Sequence, residues 1–139
     1  MRVVVTGGAG FVGGATVRRL LREAVDVVVL DRDLARAGSL EAAGATLVRA
    51  DLRDNDRLMA MFAGADAVIH AAGSYRVGLT AAERPAMEAS NVHAAAAVLE
   101  AAGRSRVAHV VHVSTDGIFG NTRGHAVDER YRRPTPRRP

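Results

Sequence analysis

The chain contains no cysteine. Disulfides, thiolate metal sites and cysteine nucleophiles are therefore excluded. Lysine is absent too, so all 19 basic residues are arginine. Any mechanism that needs a lysine amine goes with it, including the phosphate-loop NTPases, whose glycine loop carries a lysine to the phosphates. Long apolar runs are also missing. The first is Val3-Val4-Val5, too short for the apolar part of a signal peptide or for a membrane span. A cytoplasmic protein with no membrane partner is the expectation.

Charge is unevenly spread. Against 15 acidic residues the net charge is +4. Six arginines fall within 123–138, opposed there only by Asp128 and Glu129, so the rest of the chain is close to neutral. No nucleic-acid-binding motif accompanies the basic stretch, and a nucleic-acid partner is not expected. The five histidines, at 70, 93, 109, 112 and 125, show no metal-ligand spacing on a shared face. His109 and His112 differ by an odd number and point to opposite sides of a strand. His70, at a strand end, reads as a packed histidine. No metal site is expected.

What is present suits one globular domain: 139 residues, 48% hydrophobic and 24% charged. Residues 2–6 are a short β-branched run that reads as a strand buried on both faces. Residues 11–24 follow as a helix, with Val17, Leu20, Leu21 and Ala24 on one side and Arg18, Arg19 and Arg22 on the other. The pattern then repeats. Strands are expected at 26–31, 46–50, 66–71 and 106–114. Helices are expected at 34–43, 55–63 and 83–102, closed by Gly44, Gly64 and Gly103. Residues beyond Gly120 show no period and read as an Arg/Pro-rich loop or tail over 121–139, after a domain over 1–120. Alternating strands and helices imply a doubly wound α/β fold with a parallel sheet. Its ligand rim would gather Gly7–Gly13, Asp31, Asp51, Ala71–Gly73 and Ser114–Gly117 at the carboxyl ends of the strands.

The segment Gly7-Gly8-Ala9-Gly10-Phe11-Val12-Gly13 joins the first strand to the first helix. Glycines 8, 10 and 13 fit G-x-G-x-x-G; glycines 7, 10 and 13 fit G-x-x-G-x-x-G. Either pattern turns the chain sharply, lets a diphosphate approach the backbone, and packs the helix close to the sheet. The helix N-terminus then offers amides and partial positive charge to an anion. Asp31 lies 18 residues after Gly13, at the end of the second strand, where a carboxylate can grip a ribose hydroxyl pair. That carboxylate repels a 2′-phosphate and favours NAD over NADP; Arg32 beside it can pair with such a phosphate, so NADP stays open.

These residues resemble the extended short-chain dehydrogenase/reductase family, also called the NAD-dependent epimerase/dehydratase family. The resemblance runs from Met1 to about Pro134. It rests on Thr6–Gly13, Ala50–Asp54, Asp66–Gly73, Asn91-Val92 leading to Leu99–Ala102, and Val111–Gly120. Ser114–Gly124 with Val127-Asp128-Glu129 is most similar to the dihydroflavonol reductase-like branch. The resemblance implies a Rossmann sheet and roles for particular residues. Asp51 and Leu52 would contact adenine, and the Ala71-Ala72-Gly73 backbone would flank the cofactor. Asn91 would sit near the cofactor's middle or brace the active site, or else tie helix to sheet. Thr115, with Ser114 beside it, would bind the reacting oxygen of a hydroxyl/carbonyl substrate. Sugar-nucleotide dehydratases carry Glu after the Thr-Asp pair, where this chain has Gly117, which disfavours dehydration.

The family's chemistry uses a Tyr with a Lys four residues on. Tyr75 is followed at that spacing by Leu79 and Tyr131 by Thr135. The chain is therefore read as the N-terminal part of such an enzyme, lacking the last strand or strands and the substrate-binding C-terminal part. The alternatives are a stand-alone, non-catalytic NAD(P)-binding module, or a protein-interaction module whose open sheet edge pairs with another chain. A homo-oligomer stays open.

Overall fold

Val3, Val4 and Val5 are buried on both sides of one strand, and that double burial shapes the whole architecture. A computed structural model describes residues 1–76 and 78–132. The chain runs β1 (Arg2–Thr6), α1 (Phe11–Arg22), β2 (Asp26–Asp31), α2 (Gly38–Ala42), β3 (Thr46–Arg49), α3 (Asn55–Phe62), β4 (Ala67–His70), α4 (Arg84–Arg104) and β5 (His109–His112). A 3-10 turn follows at Asp116–Phe119. The sheet has five strands in the order β3-β2-β1-β4-β5, and every pair is parallel. From β1 the chain steps outward to β2 and β3, then crosses back to β4 and β5. The direction reverses between β1 and β4, which opens a crevice above those strand ends.

Each face of the sheet has its own core. Val4, Val28, Leu30 and Val68 pack with Leu58 and Phe62 of α3 and Val98, Ala101 and Ala102 of α4. Val3, Val5, Val27 and Val29 pack on the other face with Val17 of α1 and Leu40 of α2. Two covered faces explain why β1 and β2 read as continuous valine runs rather than alternating ones. β5 is the exception. All four of its residues are exposed, with Val111 at 52%. Among the described residues no helix is long and apolar enough to cross a membrane.

Several boundaries differ from the sequence expectation for local reasons. The helix expected over 34–43 forms only at Gly38–Ala42. Asp31 and Asp33 accept from the backbone N–H groups of Asp33 and Ala35. Such side-chain bonds compete with helix formation. Gly103 does not end α4, which continues through Arg104. The end comes at Arg106, in the left-handed region with φ of 54°. Its N–H donates to the Gly103 carbonyl and that of Val107 to the Ala102 carbonyl, a Schellman closure. That closure also consumes the start of the strand expected over 106–114. Ala24 closes α1 the same way with φ of 55°, while Gly44 and Gly64 take positive φ as expected. Within 121–132 no helix or strand forms; Tyr131 packs edge-on to Phe119, ring centroids 6.0 Å apart. Residues 133–139 of the expected tail lie outside the described residues.

Candidate functional site

The turn out of β1 is built at Gly7, whose φ is +72°. A Cβ there would lie 2.5 Å from the Ala72 backbone. A side chain is thus excluded by conformation and by space, and the loop after β1 lies directly against the loop after β4. The Gly7 N–H donates to the Leu30 carbonyl at 2.8 Å, which ties the same turn to β2. α1 then starts at Phe11 behind an extended Gly10. No side chain caps it, and its first turn holds no acidic residue. The opening amides of a helix have no partner within the helix, so this end is left to an anion or to water. Gly13 brings α1 onto the loop so closely that a Cβ there would collide with the Gly7 carbonyl.

Asp31, at the end of β2, reaches back to this loop. Its Oδ2 accepts from the Ala9 N–H at 3.1 Å and its Oδ1 from the Asp33 N–H at 3.2 Å. At the end of β3, Asp51 Oδ1 accepts from the Arg53 N–H and from its Nε, both at 3.0 Å. Oδ2 accepts from Arg53 Nη2 at 2.6 Å. These bonds, the side-chain ones foremost, hold the Asp51 carboxyl far below the usual carboxylate range. On the opposite lip, Asn91 of α4 clamps the chain after β4. Its Oδ1 accepts from the Ser74 N–H at 2.8 Å and its Nδ2 donates to the Ser74 carbonyl at 2.9 Å.

These elements enclose a cleft of about 430 Å³, within the usual range of roughly 300–1,000 Å³ for small-molecule sites. Of the residues singled out in the sequence, Gly7, Ala9, Gly10, Asp31, Arg32, Asp51, Leu52, Ala71, Ala72, Gly73 and Asn91 line it. Gly8, Phe11, Val12 and Gly13 do not. Gly8 is packed on Val29 and Gly13 on Gly7, while Phe11 is 95% exposed. Ser114 and Thr115 are also outside the lining and exposed. Thr115 Oγ1 donates to Asp116 Oδ1 and accepts from the Gly117 N–H, each at 3.2 Å, and so caps the 3-10 turn. Sequence reasoning missed Arg36, Arg53, Ser74 and Ser90 in the cleft wall. Arg53 lies within the Ala50–Asp54 block and Ser74 directly follows Asp66–Gly73, and that proximity was the available signal. Among the described residues no cluster of acidic or histidine side chains could hold a metal.

Below the rim, Thr6, His70 and His112 stand in register on three neighbouring strands. Thr6 Oγ1 and His70 Nδ1 share a 2.6 Å hydrogen bond. The two imidazoles stack with centroids 5.2 Å apart. The expectation of a packed His70 agrees with its 1% exposure.

A family model described as the NAD dependent epimerase/dehydratase family matches residues 3–139. The dTDP-glucose 4,6-dehydratase of Streptomyces niveus is 34% identical over 142 residues, covering 93% of this chain and 42% of its own. The UDP-glucose 4-epimerase of Neisseria meningitidis serogroup B is 32% identical over 129 residues, covering 86% of this chain and 38% of its own. A crystal structure of a Stenotrophomonas maltophila UDP-glucose 4-epimerase with bound NAD and formylated UDP-arabinopyranose superposes with a TM-score of 0.83 at 30% identity. It covers 94% of this chain and 41% of that one. The chain thus spans about two fifths of the length of these relatives.

Proposed function

Since the chain belongs to the NAD dependent epimerase/dehydratase family, we propose that its cleft holds NAD as part of an enzyme that oxidises or reduces a hydroxyl/carbonyl carbon. The residues present fit such a group. The uncapped start of α1 and the backbone of Gly7–Gly10 suit a diphosphate. Asp31 suits the adenosine ribose, Asp51 and Leu52 the base, and Ala71–Gly73 the nicotinamide half. When bound, the nicotinamide supplies a hydride donor or acceptor. Ser114 and Thr115, at the end of β5, are proposed to bind the reacting oxygen once Thr115 releases its bond to Asp116. Asn91 acts through Ser74 to hold the lip in place. Gly117, where dehydratases of the family carry Glu, supports simple oxidation or reduction over dehydration. The Ser114–Gly124 likeness to the dihydroflavonol reductase-like branch agrees with that. The 139 residues contain no Tyr-x-x-x-Lys, so the proton transfer that completes the reaction requires residues outside them.

One observation carries this reading: the Asp31 carboxylate bonds the Ala9 N–H. That contact supports the reading because it joins Asp31, proposed for the sugar, to the loop proposed for the diphosphate on one wall of one cleft. Calorimetric titration with NAD and NADP tests it. The expected affinity is higher for NAD. Asp31→Ala is expected to weaken NAD by about tenfold, as loss of a charge-assisted bond of 1.5 kcal/mol or more requires, and to narrow its lead over NADP. A variant that keeps the full preference would remove Asp31 from the site.

A further inference from the structure

The strand order β3-β2-β1 spaces the cleft into stations. With a diphosphate at the β1–α1 turn and a ribose at Asp31 on β2, the base falls at the end of β3. Asp51 and Arg53 stand there. This step rests on the dinucleotide reading above.

An ionised carboxylate offers about four lone-pair positions. Arg53 occupies three of those on Asp51: its backbone N–H and Nε on Oδ1, and Nη2 on Oδ2. One acceptor position is left, on Oδ2. Arg53 Nη1 has no partner among the described residues, and the Arg53 side chain is largely exposed to the cleft mouth. The pair therefore shows an incoming edge one acceptor beside guanidinium donors. A carboxamide shows the same pattern, and carboxamides read adenine through its exocyclic amine and the neighbouring ring nitrogen. With position 6 of the purine held against Asp51 Oδ2 rather than against the Arg53 donors, a six-oxopurine places an acceptor where adenine carries the amine and meets the carboxylate lone pair to lone pair.

We propose that Arg53 is a positioning residue that, by its forked grip on Asp51, makes the base station selective for six-aminopurine over six-oxopurine dinucleotides. The grip also keeps Asp51 ionised well into acid, so the acceptor persists across the working pH range.

Calorimetric titration of the full chain with NAD and with nicotinamide hypoxanthine dinucleotide tests this. The unsubstituted chain is expected to prefer NAD by about tenfold or more, the scale of one good paired contact to a base edge. Arg53→Met is expected to bring the two affinities to within about threefold, mainly by weakening NAD. Arg53→Lys, which keeps the charge and loses the fork, is expected to narrow the ratio as well. If either variant weakens both nucleotides equally and leaves the ratio intact, Arg53 is merely structural and the inference falls. No preference in the unsubstituted chain also overturns it. Binding of neither nucleotide to the unsubstituted chain would overturn the dinucleotide reading itself; a preference that survives Arg53→Met overturns only the role of Arg53.

Discussion

At the scale of single residues, chemistry is set by what each polar group is denied. His70 sits between Thr6 and His112 with almost no access to water. Burial, and then the charge of His112, hold its pKa at about 4, against about 6.5 in an unfolded chain. As the pH falls, the unfolded chain takes up the proton first. The contribution of neutral His70 is therefore complete above about pH 6.5 and is lost progressively down to about pH 4, then stays flat. A displacement of that size corresponds to about 3 kcal/mol. His70→Asn keeps a polar group near Thr6 and cannot titrate. Between pH 7.5 and 4.5 it is expected to lose about 2–3 kcal/mol less stability than the parent chain in denaturant melts. Identical pH dependence in the two proteins would show that His70 is not the titrating group. Asp51 differs from an ordinary surface carboxylate only in degree: Arg53 stabilises its charged form, so it stays an acceptor where free carboxylates protonate.

At the scale of elements, helix ends decide where sequence and structure part. The runs 2–6 and 26–31 were legible to the residue, because a strand buried on both faces needs an unbroken β-branched stretch. The helix ends were not. Gly44 and Gly64 cap as expected, but Ala24 and Arg106 take the left-handed position with no glycine to announce it. Gly103 instead lies inside α4, with open space around the position of a Cβ. A glycine in a helix costs roughly 0.5–1 kcal/mol relative to alanine. Gly103→Ala is accordingly expected to raise stability by about that amount, read as a higher denaturant midpoint with an unchanged slope. A loss of stability would mean that the residue does close the helix. The shortened α2 has a comparable origin, since no periodicity rule records that Asp31 and Asp33 hold the preceding turn through their own side chains.

At the scale of the molecule, the parallel sheet brings to one cleft residues from Gly7 to Asn91 that are far apart in sequence. Most of that gathering was legible once strands and helices were seen to alternate, because the ligand rim of such a sheet follows from its topology. Two things were not. Arg53 and Arg36 join the wall from the loops that follow β3 and β2, and Thr115, exposed outside the cleft lining, caps a 3-10 turn. The exposed β5 has a different basis: its valines match the buried ones in sequence, and only the lack of a covering element among the described residues leaves them open. The central claim, that the cleft above β1–β4 holds a dinucleotide, is most directly tested by amide proton–nitrogen NMR spectra recorded as NAD is added. The expected result is a saturable shift of the Gly7–Gly13, Asp31, Asp51 and Ala71–Ser74 signals, with α2 and the 121–132 segment unmoved. Unchanged spectra at millimolar NAD, or shifts confined to residues outside that cleft, would contradict it.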